Sequence, residues 1–177
     1  MSSSKLPENS PRPSGGEPFI LREMRQADLE RIGLVGWESW RSTGPLDRSM
    51  ADPAVAQRVR DAFLSFPFCQ ARDVVIAEVD GVMAGWGARK TSPELISDIW
   101  VLPDFQRRGI GRALVTSFCD RMRGEGLRQA LISTHQNNFA AQALYRHCGF
   151  ETVWRGMERD AAIELDIAKV RLRRFLL

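Results

Sequence analysis

The chain has 177 residues, 44% of them hydrophobic and 27% charged, with a formal net charge of +3. That length and balance suit one well-buried globular domain and are short for two. The arginines are spread along the chain, which fits a small anionic ligand at least as well as a nucleic acid, and no apolar run is long enough to span a membrane.

Residues 1–17 are rich in Ser, Pro and Gly and nearly free of apolar side chains, so they read as a disordered lead ahead of a domain spanning residues 18–177. They lack the apolar core of a signal peptide. Phe19 to Met24 forms a short strand, and Gln26-Ala27-Asp28 opens a helix carrying Leu29, Ile32, Leu34, Val35 and Trp37. After a turn at Ser42 to Pro45, Asp52-Pro53 supplies the cap and first position of a second helix with Val55, Val59, Ala62 and Phe63 at helical spacing. Val74 to Val79 and Val82 to Lys90 are strands joined by Asp80-Gly81, a two-residue hairpin turn. A third strand, Glu94 to Leu102, ends at Pro103.

Ile110, Ala113, Leu114, Ser117, Phe118 and Met122 recur every three or four residues, an amphipathic helix closed by Gly124 and Gly126. Gln129 to Thr134 is a strand. Asn138 caps a helix bearing Ala141, Leu144, Tyr145 and Cys148, which Gly149 stops. Phe150 to Trp154 and Ala162 to Val170 close the chain as two strands. The order predicts one mixed α/β domain, without internal repeats, whose sheet has helices on its faces. Cys69, Cys119 and Cys148 are too few and too scattered for a disulfide framework or a zinc site and read as buried reduced thiols of a cytoplasmic protein.

The stretch Val101-Leu102-Pro103-Asp104-Phe105-Gln106-Arg107-Arg108-Gly109-Ile110-Gly111-Arg112 places two glycines and three arginines where a helix begins. A helix start has unpaired N–H groups and partial positive charge, so it can seat an anion, and glycine lets phosphate oxygens approach the backbone. The same residues also suit a plain turn with solvated arginines. No Gly-Lys-Ser/Thr follows, so this is no P-loop, and the third glycine of a dinucleotide fingerprint is missing.

Downstream stands Asn138-Phe139-Ala140-Ala141-Gln142-Ala143-Leu144-Tyr145-Arg146-His147-Cys148-Gly149-Phe150. The pair of blocks, Val-x-Pro-x-x-Gln-x-x-Gly-x-Gly and then Asn-x-x-Ala-x-x-Leu-Tyr-x-x-x-Gly-Phe, closely resembles the GNAT superfamily of acyl-CoA-dependent N-acetyltransferases. The element order from Phe19 to Val170 resembles that family's fold. The resemblance implies a GNAT-like domain with a central mixed, mostly antiparallel sheet of about seven strands and helices on both faces.

It also implies acetyl-CoA as the acyl donor, no metal, and an amine acceptor that is a small molecule or a peptide. No nucleic-acid or membrane partner is implied, and a homodimer remains open. By the same resemblance Gln106, Arg107, Arg108, Gly109, Ile110, Gly111 and Arg112 surround the coenzyme's pyrophosphate. Ile99, Trp100 and Val101 pair with the pantetheine arm where this strand and the one ending near Thr134 splay apart, and Asn138 contacts the coenzyme.

Tyr145 matches the tyrosine that protonates the departing thiolate in many members; in residue terms it could equally be a core aromatic. For the base, Glu94 and Asp98 lie four apart on one strand and so share a face with Ile96 and Trp100. Either is a candidate if that face lines the acceptor cleft, and either could be a surface carboxylate. His135 is a further candidate, while His147 is expected at the surface. Where some relatives carry a glutamate, this strand has Ser133 and Thr134. Trp37, Trp40, Trp86 and Trp100 offer an aromatic wall for the acceptor or belong to the core. The runner-up reading is a non-catalytic coenzyme-A-binding regulatory module.

Overall fold

The computed structural model describes residues 18–66, 73–90 and 92–177, so the expectations for residues 1–17 and Cys69 lie outside the described residues. Strand β1 is Phe19–Glu23. A 3-10 turn at Gln26–Asp28 leads into α1, Leu29–Thr43, and α2 is Pro53–Ser65. Strands β2 (Asp73–Val79), β3 (Val82–Arg89) and β4 (Leu95–Val101) follow. Then come α3 (Ile110–Gly124), β5 (Gln129–His135), α4 (Phe139–His147), β6 (Glu151–Asp160) and β7 (Leu165–Phe175). The strands form one seven-stranded sheet in the order β1-β2-β3-β4-β5-β7-β6. Every neighbouring pair is antiparallel except β4 and β5, which run parallel.

The two faces have separate cores. Ile110, Leu114, Phe118 and Met122 of α3, with Tyr145 and Cys148 of the α4 region, pack on Val75, Ile96, Ile132, Val170 and Leu172. Full burial of side chains of this size contributes roughly 1.5–3 kcal/mol each. On the opposite face Ile32 and Val35 of α1 meet Ile76, Trp86 and Ala88, with Phe63 and Trp100 beside them. Gly36 permits this close approach, because a Cβ there would lie 2.5 Å from Phe63 Cδ1 of α2. Val55 and Val59 of α2 reach Ile163 and Ile167 of the β6–β7 hairpin, with Trp37 and Trp40 packed against them.

Three elements differ from the sequence reading. The residues Gln26–Asp28 form a separate 3-10 turn ahead of α1. Strands β6 and β7 extend to Asp160 and Phe175, beyond the expected ends. β6 is an edge strand and largely exposed, so its Arg and Glu side chains carry no alternation of apolar residues to read. The third difference lies inside β4. Ala88 pairs with Asp98 but Arg89 with Ile96, so Ser97 is bulged out, and its Oγ donates to Ala88 O at 3.1 Å.

The bulge corrects the face assignment. Ile96 packs with α3, whereas Asp98 pairs with Ala88 and Trp100 packs on the α1 face. One extra residue reverses the alternation, so Ile96 does not share a face with Asp98 and Trp100.

Candidate functional site

β4 and β5 are joined at one end and open at the other. Leu95 pairs with Leu131 and Ile96 with Ile132, and Leu131 N donates to Glu94 O at 2.7 Å. Beyond Ile96 and Ile132 no pairing between these strands is present among the described residues, so Ile99, Trp100 and Val101 face β5 across a gap. The opening begins at the Ser97 bulge, which turns β4 away from its parallel neighbour.

The Gln106–Gly109 loop sits at the end of this open strand. After the 3-10 turn Pro103–Phe105, Gln106 Nε2 donates to Val101 O at 3.1 Å. Arg107 and Gly109 both take positive φ, 62° and 87°, which reverses the chain into α3. Gly109 is the N-cap and offers no side chain to the first N–H groups, whereas Asp52 and Asn138 accept bonds from Ala54 N and Ala141 N at the starts of α2 and α4. The start of α3 therefore presents Ile110, Gly111 and Arg112 with their N–H groups uncapped by a side chain. A Cβ on Gly111 would lie 3.1 Å from Leu144 Cδ2, so this glycine also serves the contact between α3 and α4.

The three arginines are not equivalent. Arg107 and Arg112 are exposed, while Arg108 folds back to donate to Asp104 O at 2.9 Å and lies over the Phe105 ring.

Tyr145 projects from α4 into the core beside the opening and is 5% exposed. Burial first, and then the negative charge of Asp98, push its phenol well above the usual value, so it stays protonated at neutral pH. Asp98 Oδ1 accepts from Trp100 Nε1 at 3.1 Å, and Lys90 Nζ lies 3.7 Å from Oδ2. Oδ2 is buried and has no hydrogen-bond partner. Glu94 stands apart from these groups. It precedes β4 at the joined end, where its Oε2 accepts from Gln129 Nε2 at 2.8 Å.

A clasp at the mouth was not anticipated. His135, buried at the end of β5, lies with Nε2 2.7 Å from Asp47 Oδ2 in the loop between α1 and α2. Its Nδ1 accepts the Asn137 N–H at 3.0 Å, so Nε2 carries the proton and donates to Asp47. With both nitrogens engaged, His135 has no free lone pair for base work, and its sequence-based candidacy falls away. Asn137 Nδ2 donates to Leu46 O at 2.8 Å and doubles the tether. Asp47 Oδ1 accepts from Ser49 N and Met50 N at 2.9 and 3.2 Å. The spacing of Asp47 and Ser49 signals this local turn, but no local signal points to a partner 88 residues away.

His147 is exposed. Of the tryptophans, Trp86 is fully buried core and Trp100 packs edge-on against Phe63. Trp37 and Trp40 stack at 5.4 Å and are half-buried near the β6–β7 hairpin.

Comparison with known proteins gives a consistent outcome. The model of the acetyltransferase (GNAT) family matches residues 37–150. A mycothiol acetyltransferase of Streptomyces coelicolor is 32% identical over 103 residues, 56% of this chain and 33% of that protein. The chain thus spans about a third of the length of that relative. The ribosomal-protein-S18-alanine N-acetyltransferase of Escherichia coli has a similar structure, with TM-score 0.65, 18% identity, and coverage of 90% of this chain and 94% of that one. A PaiA N-acetyltransferase from Thermoplasma acidophilum, solved in complex with coenzyme A, gives TM-score 0.64 at 17% identity and covers 89% and 99% of the two chains.

Proposed function

This chain belongs to the acetyltransferase (GNAT) family, and from that premise we propose that it transfers an acetyl group from acetyl-CoA to a primary amine by direct attack. The observation that carries the reading is the parting of β4 from β5 beside a helix start whose N–H groups have no side-chain cap.

The Gln106–Arg112 segment receives the pyrophosphate. Backbone N–H groups at the start of α3 point toward the anion, and the exposed Arg107 and Arg112 add positive charge. The unpaired edge of Ile99–Val101 takes the pantetheine arm in place of a neighbouring strand. Asn138, which caps α4 at the far lip of the opening, contacts the coenzyme on that side.

Chemistry follows from the two groups at the base of the opening. The acceptor arrives as an ammonium and must lose a proton before its nitrogen can attack the thioester carbon. Asp98, with one buried oxygen lacking a hydrogen-bond partner, takes that proton directly or through water. The C–N bond forms and the C–S bond breaks; the thiolate receives a proton from Tyr145, and the proton still carried by the attacking nitrogen passes, directly or through water, back to the phenolate. A phenol held above its usual value is a weaker acid, so close placement must carry this donation. Glu94 is assigned no part, since it is tied to Gln129 at the joined end.

The deciding experiment follows thiol release from acetyl-CoA across polyamines, amino acids, aminoglycosides and peptides with free N-termini or lysines. Amine-dependent release by the folded chain is expected. Silence across the panel would move the reading to a coenzyme-binding module.

A further inference from the structure

The sheet register lines up four side chains across its open face. Ile96 pairs with Ile132. One step on, where β4 and β5 part, Asp98 and Ser133 turn to the opposite face, the one that α1 and α2 cover over β3 and β4. Ser133 pairs with Arg171 of β7, and Arg171 with Trp154 of β6. Asp98, Ser133, Arg171 and Trp154 therefore form one row across four strands. The helices reach the hairpin at Ile163 and Ile167, whereas the Arg171 side chain and Trp154 stay 40% and 37% exposed.

The row has opposite character at its two ends. At the splay lies the Asp98 carboxylate, whose Oδ2 has no hydrogen-bond partner and lies 3.7 Å from Lys90 Nζ. At the far end the Arg171 guanidinium is held in place by the Trp154 ring, 5.2 Å from its centroid, and by one nitrogen donating to Glu158 at 2.7 Å. Glu158 is shared with Lys169 at 3.3 Å, so its charge is divided between two cations. A guanidinium has five N–H donors, and the Glu158 contact occupies one nitrogen. The remainder form a rigid fork suited to an oxyanion. Paired strands lie about 4.8 Å apart, so two strand steps put Arg171 at least about 10 Å from Asp98, and the parting of β4 from β5 adds to that distance.

We infer that the acceptor is an amine that also carries an oxyanion, a carboxylate or a phosphate, which Arg171 receives while the amine is directed to Asp98. This rests on the acetyl-transfer reading of the same site and names its substrate class. Trp154 orients the guanidinium and offers a planar wall beside the acceptor's carbon skeleton.

The test uses the full chain and three matched acceptor series: ω-amino carboxylates of increasing length, their primary amides, and the corresponding aminoalkyl phosphates. Initial rates of thiol release should give at least about a tenfold higher kcat/KM for an anionic series than for the amides, as expected for a charge-assisted contact. The leading anionic series distinguishes carboxylate from phosphate.

Arg171→Gln should collapse the anionic-to-neutral ratio toward one, and Arg171→Lys should keep part of it. Equal rates for anionic and neutral acceptors, or a preference that survives in Arg171→Gln, would overturn the inference and leave acetyl transfer standing. Calorimetric titration of the same compounds with coenzyme A present reads the anion contact without turnover. Anion binding lost in Arg171→Gln would support the inference even if no member were acetylated, and that lack of turnover would count against the acetyl-transfer reading. Anion binding unchanged in Arg171→Gln would overturn the inference.

Discussion

The two ends of the β4–β5 pair are built on opposite principles. At the joined end the charges are met several times over. Arg89 donates to Asp73 at 2.9 Å, to both oxygens of Glu125 at 2.6 and 2.9 Å, and to Pro93 O at 3.2 Å. Arg121 links Asp73 to Glu23 at 2.8 and 2.6 Å, and Glu94 is tied to Gln129. At the open end, among the described residues, backbone edges lack strand partners, a buried carboxylate oxygen has only the 3.7 Å approach of Lys90 and no hydrogen bond, and a helix begins without a side-chain cap. The difference teaches where stability and function are divided along one strand. The charged groups of the joined end are satisfied within the fold, whereas in the proposed reading Asp98 Oδ2 and the start of α3 are groups that a ligand completes.

Breaking the joined end should have the largest effect. Arg89→Met removes a largely buried cation and leaves Asp73 and Glu125 with less compensation. It should lower stability by about 3 kcal/mol in urea unfolding, below the upper range for buried pairs because Glu125 is 46% exposed. Acetyl transfer per folded molecule should persist; a variant that unfolds no more easily would show that the network contributes little.

At the open end Tyr145→Phe should reduce kcat about 100-fold, equivalent to about 2.7 kcal/mol, with KM for acetyl-CoA little changed. Unaltered kcat would return Tyr145 to a core aromatic. The carboxylates sharpen the contrast directly. Asp98→Asn should lower kcat on the order of 100-fold, and Glu94→Gln should stay within about twofold of wild type. Steady-state kinetics giving the reverse order would place the base at the joined end.

The legible parts of this chain are those fixed by local chemistry. Asp80-Gly81, Pro103, the Asp52 and Asn138 caps and the turn at Gly109 each act through their own neighbours, and each element they bound is present. The two motif blocks carried the family and fold in the same way. The Ser97 bulge was not legible, because it depends on how β3 pairs with β4, and that pairing decides that Asp98 turns away from Ile96. The ends of β6 and β7 were missed because an exposed edge strand needs no apolar period. The clasp was missed because Asp47 and His135 meet through the fold alone.

That clasp gives the smallest and most diagnostic prediction. His135 Nε2 donates to Asp47 while Asn137 supplies a second tether to Leu46, so the loop between α1 and α2 is held against the lip of the opening. Ser49 first, then His135 and Met50, hold the Asp47 carboxyl below its usual value against the opposing effect of burial. A depressed carboxyl gives its full contribution above its unfolded value of about 3.9 and loses it as pH falls through the lower folded value, so the Asp47 carboxylate is in place at neutral pH.

His135→Ala should therefore cost about 1–2 kcal/mol in urea unfolding at neutral pH. If the loop borders the acceptor, the same change should raise KM for the amine several-fold while KM for acetyl-CoA stays within about twofold, since the Asn137 tether limits how far the loop moves. A parallel rise in both constants would mean that the clasp supports the whole mouth. A stability loss with neither constant changed would make it a structural brace, with the acceptor entering along the Arg171 side of the sheet instead.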